Sequence, residues 1–314
     1  MRFAILGPSC FGINLALYLQ SQGHEVFGIG RSERKEPFLL GLEWDYYKHH
    51  VTYEPEPIIH LLRQKKPDFI INFSAQGESA ASFGEDSWRY YETNCLGLSR
   101  LVARLESVFI QIGSSEVYGP TANPAKESQA ITPTSPYSIS KGAFDLHLAA
   151  VKDRIVPFNI IRPSNAYCAG QQLHRIIPKT LLLGLSGSKL KLQGGGKAKK
   201  SYIDAHDLSR AILMICLKGK RGEIYNVGPN SPVSIREVVE IAANYAGRQF
   251  DDFIEDTPAR FGEDRQYWIN SERIRALGWS PETSLKAGIG RVWEWVRDNK
   301  EALERLPTEF QMRP

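Results

Sequence analysis

A chain of 314 residues with 42% apolar and 24% charged residues has a globular makeup, which excludes the disordered, collagen-like and coiled-coil classes. Its formal net charge of +4 is small for that length, so no nucleic-acid partner is expected. Four scattered cysteines, Cys10, Cys95, Cys168 and Cys216, form no CxxC pair and no metal spacing; they read as reduced thiols of a cytoplasmic protein without a metal site.

The chain opens on Met1-Arg2-Phe3 and runs straight into a strand pattern at 3–6, without a signal peptide. The loop "GPSCFG" follows, then a helical pattern with Ile13, Ala16, Leu17 and Leu19 on one face. Gly23 closes that helix, and residues 25–29 form the next strand. Further apolar runs lie at 69–73, 108–112 and 158–161, separated by helical stretches at 87–106 and 138–151. Such alternation predicts an α/β fold, a Rossmann-type doubly wound parallel sheet whose ligands sit beyond the carboxyl ends of the strands. After Pro163 the character changes. Residues 184–200, "GLSGSKLKLQGGGKAKK", carry five glycines and read as a long functional loop or linker. Its cluster of Lys197, Lys199 and Lys200 reads as a solvated face, although one lysine could meet a phosphate. Helical patterns return at 234–246 and 285–298. No apolar stretch is long enough to span a bilayer, and 211–217 is among the longest.

Three local patterns carry chemistry. In "ILGPSCFGINLALYL", Gly7 permits the tight turn, Gly12 lets the helix pack close to the strand, and the helix N-terminus can take a pyrophosphate. A third glycine is missing. In "HEVFGIGRSERK", Gly30 stands where an acid would grip a ribose diol, and Arg31 and Ser32 follow. Exchanging a carboxylate for a guanidinium suits a 2′-phosphate, hence NADP over NAD; a plain surface arginine is the alternative. Asp45 and Tyr46 either frame the adenine or form an exposed loop pair. Finally, "SPYSISKGAFD" places Tyr137 and Lys141 one helical turn apart on one face. A nearby ammonium and a nicotinamide cation favour the ionised phenol, which can then act as a base near neutrality. The apolar strand at 108–112 ends in Ser114, Ser115 and Glu116, groups that cost much to bury unless something polar sits over them.

With "GPSCFG", "NFSAQ", "ETNCLG", "GSSEVYG", "PYSISK", "IRPSNAY" and "DRQYWINSERIRALGWSP", the chain resembles the extended short-chain dehydrogenase/reductases, the nucleotide-sugar epimerase/dehydratase family, nearly end to end. The resemblance implies an NADP-binding domain at 1–165, joined by part of 201–228, and a nucleotide-sugar-binding domain at 166–200 and 229–314. It implies a homodimer built on a four-helix bundle, or a tetramer, and a triad of Ser114, Tyr137 and Lys141. The cofactor residues it implies are Gly7, Ser9, Cys10, Phe11, Gly12, Arg31, Ser32, Asp45, Tyr46, Ser74, Ala75, Gln76, Tyr137, Lys141 and Arg162, for NADP or NAD. The substrate residues are Glu78, Ser114, Asn165, Lys200, Arg260 and Arg265; Lys200 stands where many relatives carry an arginine, and each arginine could equally be a surface ion pair.

Within the family, the Ser-Ser-Glu strand end, Asp145 and "EDRQYWIN" resemble the 4,6-dehydratases of the GDP-mannose or dTDP-glucose type; UDP-glucuronate decarboxylases share a Ser-Glu strand end. The dehydratase likeness implies that Tyr137 takes the C4 hydroxyl proton as hydride leaves C4, and that Ser114 holds that hydroxyl. Glu116 removes the C5 proton, and Ser115 or the protonated Glu116 assists loss of water from C6. A GDP- or CDP-linked hexose is the first expectation for the substrate. A 4-epimerase or 4-keto reductase would keep the triad without needing Glu116, and a non-catalytic dinucleotide sensor would need neither Tyr137 nor Lys141. The histidines, His49 and His50 among them, read as ordinary loop or helix residues.

Overall fold

The first strand, β1 (Arg2–Leu6), is buried on both faces, which is why it reads as an unbroken apolar run. Phe3 and Ile5 enter one core cluster, and Ala4 and Leu6 enter another. The computed structural model describes residues 1–33, 35–259, 262 and 265–312. After β1 come α1 (Cys10–Ser21), β2 (Glu25–Gly30), β3 (Asp45–Lys48), α2 (Pro55–Lys65) and β4 (Phe69–Asn72). Then α3 (Trp88–Tyr91) continues through a π turn, Glu92–Leu96, into α4 (Gly97–Val102). Strand β5 (Val108–Ile112) leads to a 3₁₀ turn, Ser115–Tyr118, and on to α5 (Pro136–Ala150), β6 (Phe158–Pro163) and β7 (Asn165–Tyr167). The chain continues with α6 (Ile176–Ser186), β8 (Leu190–Gln193), β9 (Lys199–Lys200), β10 (Tyr202–Asp204), α7 (Ala205–Lys218) and β11 (Ile224–Val227). The last part holds β12 (Val233–Ser234), α8 (Ile235–Tyr245), α9 (Phe250–Phe253), β13 (Ile254–Thr257), β14 (Gln266–Tyr267), α10 (Glu272–Arg275), α11 (Leu285–Asp298) and α12 (Lys300–Leu303).

Seven strands form one sheet in the order β11-β6-β5-β4-β1-β2-β3, with every pairing parallel. Helices α1 and α7 cover one face and α2, α4 and α5 the other, the expected doubly wound arrangement. Phe144 and Leu148 of α5 are fully buried in the second cluster, and burial on that scale contributes roughly 1.5–3 kcal/mol per side chain. Helix α5 is therefore held firmly in place. A separate cluster joins α6, α8 and α11 through Leu181, Val238, Ala242, Ile289 and Val292.

Three expectations change. Residues 184–200 are no loop or linker: they finish α6, form β8 and enter β9. Leu190 and Leu192 are buried while Lys191 and Gln193 face out, and β8 pairs in parallel with β13. The helix expected over 87–106 is two short α-helical pieces ending at Val102, with the π turn between them. On α1, Leu15 rather than Leu17 completes the buried face.

Candidate active site

Strand β1 has β2 on one side and β4 on the other, the point of reversal at which open α/β sheets form a crevice. A cleft of about 1000 Å³ lies there and extends to Ile176 and Ile177 of α6. Gly7, Ser9 and Phe11 line it together with Ser74, Ala75 and Gln76. Gly7 has φ +59°, and a Cβ there would fall 2.5 Å from Ser74 Cα, so the loops after β1 and β4 touch backbone to backbone. That leaves a shallow cradle for a polyanion at the start of α1. Cys10 and Gly12 do not line the cleft. Cys10 is sealed beneath it, its Sγ 3.9 Å from Gln172 Oε1, and Gly12 packs against Ile5 and Pro8, where a Cβ would sit 3.2 Å from each. The π turn has a purpose here. Asn94 within it accepts a bond from Gln76 N at 2.8 Å and donates to Gln76 O at 3.1 Å and Ser140 Oγ at 2.9 Å, fixing the cleft wall to α5.

At one end of the cleft, Arg31, Ser32, Lys35 and Arg89 line the wall with His50 and Tyr53, alongside the carboxylates of Glu33 and Glu92. The Tyr46 hydroxyl lies on Gly30, where a Cβ would come 2.8 Å from it, so a side chain at position 30 requires the Tyr46 ring to shift. Asp45 turns the other way: its carboxylate is 3.4 Å from Lys65 Nζ on the outside of the sheet. Successive residues of a strand face opposite sides, so of this pair only Tyr46 reaches the cleft. His50, in the loop after β3, also lines it; burial, with Arg31 facing it, holds the imidazole below its ordinary pKa.

At the centre, Ser135 caps α5 in a reciprocal pair with Ser138, and Pro136 fits the first turn. The cap places Tyr137 at the mouth of the cleft and Lys141 one turn deeper. Ser114, Ser115 and Glu116 line the same space from the end of β5, and Glu116 N donates to Ser114 Oγ at 3.1 Å. Tyr137 is hydrogen-bonded to Ser114; burial and the nearby Glu116 carboxylate push the phenol well above its ordinary pKa, against the pull of Ser114 and Arg175. Burial thus opposes ionisation of the phenol, the state that a nearby ammonium and a nicotinamide cation are expected to favour. Lys141 Nζ donates to Ile112 O at 2.8 Å, and burial lowers the ammonium to about 8 despite Asp145. Glu116 Oε2 is buried with no hydrogen-bond partner among the described residues. An orphaned carboxylate oxygen is costly, on the order of 1–3 kcal/mol or more, and suits a site that a ligand completes.

At the other end lie Glu78, Asn165 and Lys200. Glu78 is engaged within the protein: Arg175 Nη1 lies 2.9 Å and His174 Nε2 3.5 Å from its carboxylate, and Arg175 Nη2 donates to Gly77 O at 2.6 Å. Burial pushes the Glu78 carboxyl up, but His174 and Arg175 outweigh it and hold it at about 2. Lys200 Nζ lies 5.4 Å from the Tyr267 ring centre. Leu306, Glu309 and Phe310 also line this end, with Phe310 edge-on to His174 at 5.3 Å and Glu309 2.6 Å from Lys179. Arg265 is exposed outside the lining, and Arg260 lies outside the described residues. Arg162, expected at the cofactor, does not line the cleft: it is buried under the floor, its Nε 2.9 Å from Asp145.

The fold and this site make a comparison informative. Residues 6–228 match the model of the NAD dependent epimerase/dehydratase family. The chain belongs to that family. It is 31% identical over 271 residues to a dTDP-D-glucose 4,6-dehydratase of Bos taurus, covering 79% of this chain and 75% of the relative. The structure of a dTDP-glucose 4,6-dehydratase of Bacillus anthracis in complex with NAD superposes with a TM-score of 0.85 at 25% identity, over 97% of this chain and 99% of that one. A UDP-glucose 4-epimerase of Thermotoga maritima with UDP-glucose reaches 0.86 at 20% identity, over 95% and 99%, and shows only that the fold is shared. Among the described residues, no helix is long and apolar enough to cross a membrane.

Proposed function

We propose that the protein is a nucleotide-sugar 4,6-dehydratase that converts an NDP-hexose to its 4-keto-6-deoxy form with a bound nicotinamide dinucleotide, NADP in preference to NAD. The observation that carries the reading is the orphaned Glu116 carboxylate beside Ser114, Tyr137 and Lys141. When bound, the nicotinamide supplies reversible storage of the hydride that leaves C4 and returns to C6. The chain's own residues do the rest. Ser114 and Tyr137 hold the C4 hydroxyl, and Tyr137 accepts its proton. Lys141 offers the positive charge that a neutral, buried phenol needs before it can do so. The C4 ketone acidifies the C5 hydrogen, and Glu116 removes that proton and later restores it. Ser115 or the protonated Glu116 assists departure of water from C6. A 4-epimerase or 4-keto reductase has no use for Glu116 at C5.

The NADP preference rests on Arg31, Ser32 and Lys35 at one end of the cleft, and on Tyr46, which crowds position 30 against a ribose-gripping acid. NAD in the Bacillus anthracis relative is the counterweight. The domain division at about residue 165 fits the separate core of α6, α8 and α11. A homodimer fits the exposed apolar residues Trp88, Tyr91, Leu96, Ile139 and Leu146 on α3, the π turn and α5.

The test is incubation with GDP-, CDP-, dTDP- and UDP-hexoses in deuterated water. The expected product has lost one water, carries deuterium at C5, and forms without net cofactor consumption. A product of unchanged mass and no deuterium, or stoichiometric NADPH oxidation, would refute the dehydratase. Full turnover by Tyr137→Phe would refute catalysis at this site.

A further inference from the structure

A line of buried polar groups runs away from Lys141 beneath the cleft, and the chemistry above makes no use of it. Asp145 stands one turn beyond Lys141 on α5, so Tyr137, Lys141 and Asp145 share one face. Asp145 Oδ2 accepts from Arg162 Nε at 2.9 Å. Arg162 Nη1 donates to the Tyr118 hydroxyl at 2.8 Å, and its guanidinium lies 4.8 Å from that ring's centre. The Tyr118 hydroxyl donates to Asn226 Oδ1 at 2.9 Å, and Asn226 Nδ2 donates to Ala125 O at 2.9 Å. Tyr118 ends the 3₁₀ turn that carries Ser115 and Glu116, so Arg162 ties that turn to the helix of Tyr137 and Lys141. Asp145 and Arg162 are 2% and 3% exposed, and neither lines the cleft.

Stability alone does not explain this arrangement. A buried ion pair is often replaced by apolar residues at no loss, because desolvation offsets the attraction. Moreover, Asp145 Oδ1 has no hydrogen-bond partner among the described residues, so the carboxylate is more than a ligand for Arg162. Its other neighbour is the Lys141 ammonium, itself 3% exposed and bonded to one neutral carbonyl. A buried ammonium tends to lose its proton, and a carboxylate one turn away opposes that loss.

We propose that Asp145 and Arg162 are positioning residues: Asp145 keeps the nearly buried Lys141 ammonium charged, and Arg162 limits that pull while fixing the turn of Glu116. Around Lys141 the relevant groups are Tyr137 and Asp145 from α5, Glu116 from the 3₁₀ turn and Arg162 from β6. Glu127 lies beyond Tyr118, and Glu78 and Arg175 lie beyond Tyr137. Asp145 and Arg162 carry opposite charges beneath Lys141, so removing each should move its titration in opposite directions.

The inference rests on the reading of Lys141 as the active-site cation but not on which sugar reaction follows. Its test therefore uses the whole protein with neither dinucleotide nor sugar added. The Lys141 signal in ε-¹³C-lysine NMR, assigned by its absence in Lys141→Arg, is titrated across the alkaline range. Asp145→Asn leaves Arg162 unbalanced, so the midpoint is expected to fall by about one pH unit or more. Arg162→Met is expected to raise it. Asp145→Glu, and the double variant Asp145→Asn with Arg162→Met, are expected to lie close to the parent. Midpoints that move the same way in both single variants, or a double variant lower than Asp145→Asn, would overturn the proposal as mere loss of packing. If Asp145→Asn does not fold, Arg162→Met decides: an unchanged or lowered midpoint overturns the proposal.

Discussion

Replacing Glu78 by Gln should remove a pH-dependent part of the protein's stability. The carboxylate is held at about 2 against an ordinary 4.5, a difference that converts at about 1.4 kcal/mol per unit into roughly 3 kcal/mol. The side chain is only 17% exposed, so solvent screening takes little from that figure. Breaking a buried pair usually costs about 3–5 kcal/mol, and Arg175, 35% exposed, can turn to water, which favours the lower value. The native state binds the Glu78 proton less readily than the unfolded chain does. The stabilisation is therefore complete above pH 4.5 and drains away as pH falls toward 2. Urea unfolding of both proteins at several pH values from 7 to 3 measures it. At pH 7 Glu78→Gln should be weaker by about 3 kcal/mol, and the gap should narrow below 4.5. A gap that stays constant down to pH 3 would show that charge plays no part in the clasp between Glu78, His174 and Arg175.

Three other outcomes are expected. Gly7→Ala should lower dinucleotide affinity at least about tenfold by fluorescence titration, because φ +59° and the 2.5 Å approach to Ser74 leave no place for a methyl group. Arg31→Ala should cost NADPH binding about tenfold or more and NADH binding little; equal losses would contradict a 2′-phosphate contact. Leu146→Glu, at a residue 60% exposed, should leave the melting curve intact while halving the mass in sedimentation; an unchanged mass would move the interface elsewhere.

The parallel sheet was legible because its strands are buried on both faces and stand out as apolar runs between helical stretches. Tyr137, Lys141 and the Ser114 to Glu116 strand end were legible because each depends on spacing within one element. Residues 184–200 misled because glycine and lysine dominate the composition and mask the alternation of Leu190 and Leu192 with outward residues. Asp45 and Tyr46 differ only in which side of β3 they face, and that follows from pairing with β2. Arg162, a cofactor residue by resemblance, lies inward because Asp145 and Tyr118 wait there. His50, His174, Arg175 and Phe310 reach the cleft from segments far apart in the chain, and no local pattern announces such a meeting.

The tyrosine resting on Gly30 also constrains how this protein can change. An aspartate at position 30, the simplest route to a different dinucleotide preference, would collide with the Tyr46 hydroxyl before it met any ribose. The two positions are therefore epistatic, and their effects should not add. A smaller or displaced side chain at 46 would relieve that contact, so what a change at 30 does should depend on the residue at 46.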